Sequence, residues 1–296
     1  MQFRKAFSMI ELVFVIVIMG IIAKFGTEFL AQSYRSFIFS KVNNRLQSDS
    51  AMAVEFMASR LQYRIKDSVI ARKDEENNEN EYKALSDADD SYSIIEWVSS
   101  DMDGYRGLDK PYWSGIIDVN HPDANVTLLI SPETNTTAVD QLIQSLSYGN
   151  SDINSSALYF IGSNSDVNGY GWDGEAIQTQ DKVIHPIKRA ENENEFVPRK
   201  GATTDTNSFS DVDIYEYYKL AWTANALKID ENNSLRLYYD YQPWDGEKYS
   251  DGKSAVIVKN VSTFRATSIG SVMKIQVCVK SSLVEEYSLC KEKTVF

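Results

Sequence analysis

The chain contains few of the residues from which most catalytic and metal sites are built. Its 296 residues include only two cysteines and two histidines. A zinc site needs several His, Cys or carboxylate ligands at short spacings, and these four residues lie too far apart for one. His121 and His185 each precede a proline, which predicts loops, and no Gly-x-Ser-x-Gly motif occurs. We therefore expect that the protein is not an enzyme.

Basic residues are also in short supply. The chain has 30 Lys and Arg against 42 Asp and Glu, which gives a net charge of −12 at pH 7. Nucleic-acid binding depends on clustered Lys and Arg that contact phosphates. We therefore expect no general nucleic-acid binding.

Glycine and proline are missing from one long stretch of the chain. Neither occurs between Gly26 and Gly104, and apolar residues recur there at every third or fourth position. This spacing predicts an amphipathic helix that continues to about residue 73. We expect its second half to pack against a sheet of the same chain.

A long apolar run lies close to the start of the chain. Residues 7–23 are almost wholly apolar and contain one carboxylate, Glu11, while Arg4 and Lys5 precede the run. A charge inside a membrane span costs about 2.5–3.5 kcal/mol, so Glu11 requires an explanation. The basic residues predict that the span starts at the cytoplasmic face. No Ala-x-Ala cleavage site follows the run, which favours a retained membrane anchor over a secretory signal peptide.

The motif Phe7-Ser8-Met9-Ile10-Glu11, preceded by a short basic leader, resembles the N-terminus of type IV pilins and type II secretion pseudopilins. The resemblance implies that a prepilin peptidase cuts between Ala6 and Phe7 and that the new amine of Phe7 is methylated. The residue before the cut is usually Gly in that family, and here it is Ala6. Glu11 would then pair with the N-terminal amine of a neighbouring subunit, which offsets part of the free energy of burying its charge.

The resemblance implies a minor structural subunit of a type IV pilus-like fibre or of a type II secretion pseudopilus, because the head is too large for a densely repeated shaft. Its partners would be other pilin-like subunits, the prepilin peptidase and the assembly platform. It would be a single-pass protein of the inner membrane with its head in the periplasm, from where it could enter a surface fibre. The alternative is a single-span exported binding protein, or an adhesin at a pilus tip.

The expected fold class is α+β, with the long N-terminal helix packed on an antiparallel β-sheet head. The predicted boundaries are a leader at 1–6, a transmembrane and filament-core helix at 7–30, an amphipathic helix at 31–73, an acidic linker at 74–90 and a head at 91–296. The patterns within the head predict a helix at 137–148, a loop at 194–208 and strands at 93–98, 126–130, 157–161, 235–241, 254–265, 271–280 and 283–288.

The two cysteines, Cys278 and Cys290, lie in consecutive segments that read as neighbouring antiparallel strands. Such strands can bring two sulfurs within bonding range, and an exported head meets an oxidising environment. The resembled pilins often close a disulfide near the C-terminus. We favour a structural disulfide over a pair of buried, reduced thiols.

Residues 164–175 have the spacing of a twelve-residue calcium loop, except that Asn occupies its first position. The ligands would be Asn164, Asp166, Asn168, the Tyr170 carbonyl and Glu175. A strand, not a helix, is predicted before this segment, and Asn, Asp and Gly also form turns without metal. We rank plain turns above a calcium site and expect no other cofactor.

Overall fold

The structure, a computed structural model, describes residues 8–74, 81–284 and 286–296. The described residues form one long helix, two short helices and fourteen strands. The helices are α1 (Met9–Leu61), α2 (Met102–Arg106) and α3 (Thr136–Leu146). The strands are β1 (Ile70–Lys73), β2 (Tyr82–Ala84), β3 (Tyr92–Ser99), β4 (Leu129–Ile130), β5 (Ala157–Phe160), β6 (Ile184–Arg189), β7 (Glu195–Pro198), β8 (Tyr218–Ala221), β9 (Thr223–Ile229), β10 (Leu235–Tyr241), β11 (Lys253–Val258), β12 (Val261–Ile269), β13 (Val272–Lys280) and β14 (Ser288–Val295).

The strands form three antiparallel sheets. The largest has the order β11-β10-β9-β3-β1-β2, the second β4-β7-β6-β5-β8 and the C-terminal sheet β12-β13-β14. The paired strands in each sheet run antiparallel. The long helix packs on β13 and β14 and also contacts β11. The prediction of an α+β fold with a long N-terminal helix on an antiparallel sheet head is therefore confirmed.

The first core lies between the second half of α1 and the sheets. Buried residues of α1, among them Leu46, Met57 and Leu61, belong to one cluster with Ile275 and Val277 of β13. Their spacing along the helix places them on one face, where they can bury apolar surface together. Each fully buried side chain of this size contributes about 1.5–3 kcal/mol, so this contact is a major part of the stability of the head.

The six-stranded sheet is covered on both faces. Along β3, Ile95 and Trp97 belong to the first core, whereas Ile94 and Val98 belong to a second core shared with β5 and β6. Successive side chains of a strand point to opposite faces, which explains this division. The nearly continuous burial of β3 is the pattern of a strand with a layer on each side.

A buried ion pair lies in the second core. The Arg72 guanidinium donates to Glu96, and the Tyr241 hydroxyl donates to the other carboxylate oxygen of Glu96 over 2.8 Å. Arg72 also donates to the Trp172 carbonyl over 2.8 Å. Both charges are buried, so removal of either partner would leave an uncompensated charge in the core.

Cys278 and Cys290 are directly opposite each other in the β13–β14 register, with Cα atoms 3.9 Å apart, and a disulfide joins them. The bridge closes a loop whose ends are twelve residues apart in sequence. A covalent link of this kind restricts the unfolded chain and so favours the folded state.

The prediction that the helix reaches residue 73 is wrong, because α1 ends at Leu61. The Ile65 amide donates to the Val98 carbonyl over 2.9 Å, which draws the chain into the six-stranded sheet. Ile65 and Ile70 are buried in the second core. The apolar spacing thus continues beyond the end of the helix because Ile65 and Ile70 are buried against the sheet.

Several predictions within the head need correction. The predicted loop at 194–208 contains β7, where Phe196 is fully buried. The predicted strand at 254–265 is two strands, since Asn260 has a φ of 58° and turns the chain between β11 and β12. The predicted strand at 283–288 is also wrong, because β14 begins at Ser288. His185, predicted in a loop, lies in β6.

The structure alters the bounds or content of three further predicted segments. The predicted acidic linker at 74–90 contains β2, which pairs with β1, and residues 75–80 lie outside the described residues. The predicted strand at 126–130 is shorter, because only β4 is strand there. The predicted helix at 137–148 corresponds to α3, which packs through Val139 and Ile143 into a third core with Phe196 and Leu220.

His185 yields a prediction about pH. Its ring is fully buried, 4.9 Å from the ring of Phe160, and burial lowers its pKa to about 4. Between pH 6.5 and 4 the unfolded chain therefore binds a proton that the folded chain does not, and the stability falls by about 3 kcal/mol as the pH drops. We expect His185→Gln to remove this part of the pH dependence of the free energy of unfolding, measured by urea denaturation.

The second histidine provides the matched control. His121→Gln removes a partly exposed histidine and so shows how much of any change comes from losing a histidine that is not buried. Profiles of His185→Gln and wild type that run parallel between pH 7 and 4 would contradict the prediction.

Candidate functional site

The candidate site is the first half of α1, which projects from the head. All residues from 8 to 37 are exposed, and Phe14, Phe25 and Phe29 each leave 66–69% of their surface uncovered. Ile38 is the first residue that packs against the head core. By length and composition, α1 is the one helix of the described residues that could cross a membrane. So much contiguous apolar surface is unfavourable in water, so this half of the helix requires an apolar environment.

The start of α1 has a well-defined local structure. The Ser8 hydroxyl oxygen accepts a hydrogen bond from the Glu11 amide over 3.3 Å. The Glu11 carboxylate oxygen Oε2 in turn accepts from the Ser8 amide and the Ser8 hydroxyl, each over 3.0 Å. This reciprocal arrangement is a capping box, which satisfies amides that would otherwise lack partners at the helix start. Ser8 and Glu11 therefore define where the helix begins.

The capping box also orients the carboxylate. Glu11 points back toward the beginning of the chain, and its second oxygen, Oε1, receives no hydrogen bond from any described residue. Ala6 and Phe7, the predicted processing site, lie outside the described residues. The predicted cleavage and methylation therefore stay predictions. An exposed carboxylate of this kind can accept a hydrogen bond from a cationic amine on another molecule.

The second half of α1 is held by the head through more than apolar contacts. The Tyr287 hydroxyl donates to Asn43 Oδ1 over 2.8 Å, and the Tyr287 ring lies 5.0 Å from the ring of Phe39. Lys293 of β14 forms an ion pair with Glu55. These contacts were not predicted, because they join positions more than two hundred residues apart in sequence.

The residues of the predicted calcium loop make short-range hydrogen bonds. Asn164 Oδ1 accepts from the Asp166 amide, and Asp166 Oδ1 accepts from the Asn168 amide, each over 3.0 Å. Asn168 Oδ1 accepts from the Tyr82 hydroxyl over 3.1 Å. Within the described ranges, no group of three His, Cys, Asp or Glu side chains could hold a metal ion. The contacts are those of Asx turns, as expected for the plain-turn alternative.

Two other members of the predicted calcium set lie in different surroundings. The Tyr170 side chain is fully buried in the second core, and its neighbour Tyr159 lies 6.3 Å away between ring centroids. The Glu175 amide donates to Asp173 Oδ1 over 3.1 Å in a turn. The sequence spacing alone could not reveal that the Tyr170 ring is part of the second core.

Comparison with known proteins finds no similar protein. The chain matches no family model, no curated protein and no solved structure. The resemblance to pilin-like proteins therefore depends on residues 1–23 and on the form of the projecting helix.

The packing of one face of the second half of α1 on the head can be tested with two methionines. Met57 is 1% exposed and Met52 is 61% exposed on the same helix. Met57→Ala should destabilise the head by about 2–5 kcal/mol because it leaves a cavity in the first core. Met52→Ala should change the stability by less than about 0.5 kcal/mol.

The measurement is urea unfolding of the full chain in a neutral detergent, followed by tryptophan fluorescence, to which Trp97 in the same core contributes. Equal losses for the two variants would show that α1 does not pack on the head through the face described above.

Proposed function

We propose that the protein is a minor structural subunit of a type IV pilus-like fibre or a type II secretion pseudopilus. The projecting apolar half of α1, with Glu11 at its start, carries this proposal. In the free subunit this half would lie in the inner membrane, with the head in the periplasm. In the fibre it would pack against the same half of neighbouring subunits, which replace the lipid.

The driving force for such assembly differs from that of folding in water. Lipid tails are as apolar as the helix surface, so helices in a membrane associate through close packing and polar contacts. Glu11 supplies a polar contact of this kind, since its free oxygen Oε1 can accept from the amine of a neighbouring chain. Pairing offsets the free energy of holding a carboxylate in the membrane, which is about 2.5–3.5 kcal/mol.

The pairing also provides specificity. A neighbour that binds in a wrong register leaves the Glu11 carboxylate without its amine, and an uncompensated buried charge is strongly unfavourable. The alternative, a single-span exported binding protein or tip adhesin, uses the helix only as an anchor or attachment. In a protein that never assembles, Glu11 has no intermolecular partner.

Glu11→Val tests assembly directly. We expect the variant to insert into the membrane normally, because the span becomes more apolar. Its amount in sheared fibres should be at least about tenfold lower than that of wild type, because a tenfold loss requires only about 1.4 kcal/mol of lost pairing free energy. The measurement is quantitative immunoblotting of the membrane and fibre fractions.

Glu28→Val is the matched control, because Glu28 is an exposed carboxylate on the same projecting half of α1. It should enter fibres like wild type. Normal incorporation of Glu11→Val, or equal losses in both variants, would count against a specific role for Glu11.

The mature N-terminus tests the processing step independently. Mass spectrometry of the protein isolated from membranes should find a chain that begins at a methylated Phe7. A chain that begins at Met1, or after Ala23, would contradict the proposed class.

A further inference from the structure

A small polar pocket lies just beyond the end of α1. Its volume is about 210 Å³, and it is lined by the connection after α1, the turn between β12 and β13, and two loops of the head. Arg64, Lys66, Asp67, Ser165 and Ser271 are among the residues that line it. Two cationic residues, one carboxylate and several serines thus border one partly open pocket.

Arg64 is the first sign that the pocket receives an anion. Its side chain is 2% exposed, and no described carboxylate lies within ion-pair distance of it. Its guanidinium donates to two backbone carbonyls, that of Leu61 over 2.7 Å and that of Ser271. A guanidinium carries five N–H donors, so three remain after these two bonds. Buried arginines are normally paired with an anion.

The surrounding charges support the same inference. Lys219 of β8 is partly buried, and its pKa is lowered by burial and by the nearby positive charges of Lys66 and Arg64. The carboxylate of this group, Asp67, accepts a hydrogen bond from the Tyr159 hydroxyl over 3.2 Å. The three cations Arg64, Lys66 and Lys219 repel one another, and the single carboxylate of Asp67 offsets only one of their charges. This local excess of positive charge occurs in a protein whose net charge is −12. A bound anion would remove this repulsion.

We propose that this pocket binds a small oxyanion, namely a phosphate, sulfate or carboxylate group, through the Arg64 guanidinium and the Lys66 ammonium group. Ser165 and Ser271 also line the pocket and bring two hydroxyl groups to it, whereas the Ser86 hydroxyl donates to Asp87 Oδ1 over 3.1 Å. Pockets for drug-sized ligands begin at about 300 Å³, so the volume suits a single anionic group. The inference goes beyond the proposed function and does not depend on it.

The position of the pocket limits the source of the anion. Residues 31–61 of α1 follow the predicted membrane span and extend over about 45 Å. The pocket lies beyond their far end, next to Leu61. Headgroups of the anchoring membrane are therefore remote, and the ligand is a solute, or a group exposed on another molecule, on the side of the head.

The test is isothermal titration of the full chain in a neutral detergent with inorganic phosphate, and separately with sulfate and acetate. The ionic strength is held constant with sodium chloride, because surface charge interactions depend on it. We expect saturable binding of at least one of the three anions. Binding of phosphate or sulfate assigns a tetrahedral group, whereas binding of acetate alone assigns a carboxylate. Absence of saturable binding by all three would overturn the proposal.

The variants show whether the binding occurs in this pocket. Lys66 is exposed at the pocket and makes no ion pair with a described residue, so Lys66→Gln should fold normally and weaken binding by about tenfold. Lys280→Gln removes an exposed lysine at the end of β13 opposite the pocket and should keep the affinity within about twofold of wild type. Equal affinities of wild type and Lys66→Gln would overturn the assignment.

A second variant separates ligand binding from a purely structural role. Without added anion, Lys219→Gln should leave the midpoint of thermal unfolding unchanged or raise it, because one of three mutually repelling charges is removed. In the same variant the anion affinity should fall. A lower midpoint combined with unchanged affinity would show that the cationic cluster serves the fold and not a ligand.

Discussion

The whole arrangement depends on the packing of the second half of α1 against β13 and β14. Val42, Leu46 and Met57 share a core with Ile275 and Val277, and Tyr287 and Lys293 add polar contacts at the edges. This contact fixes the head at one end of a single helix. It also leaves the first half of the helix without a contact to the rest of the chain as far as the structure describes it. One continuous helix thus has a second half that packs in the core of the head and a first half whose apolar surface is exposed.

The end of α1 is as well defined as its start. At the start, Ser8 and Glu11 satisfy each other in a capping box. At the end, Arg64 donates to the Leu61 carbonyl and to Ser271 in the β12–β13 turn, where Gly270 adopts a φ of 57°. A cation at a helix C-terminus is favourable because the last carbonyls carry partial negative charge. Arg64 therefore joins the helix to the same sheet that its apolar face contacts.

Local patterns in the sequence predicted the elements that follow one simple period. The apolar spacing of α1 and the alternation in β10 and β13 belong to this group, whereas β3 was recognised as a short apolar run. The same reasoning failed at Leu61, because Ile65 continues the helical spacing while its amide bonds to Val98. It also missed β9, whose Ala224 and Ala226 have low strand propensity but fit a closely packed sheet. The pocket near Arg64 could not be predicted, since its residues come from four distant segments.

Because α1 is one continuous helix, a partner that binds its projecting half also determines the orientation of the head. A helix turns by about 100° and rises about 1.5 Å with each residue. The described part of α1 contains no proline, and its glycines, Gly20 and Gly26, both lie in the projecting half. If a partner contacts the helix one residue further along, the head is therefore rotated by about 100° around the helix axis relative to that partner. The direction in which the head points around the helix axis is therefore set by the residues of the projecting half that a partner contacts.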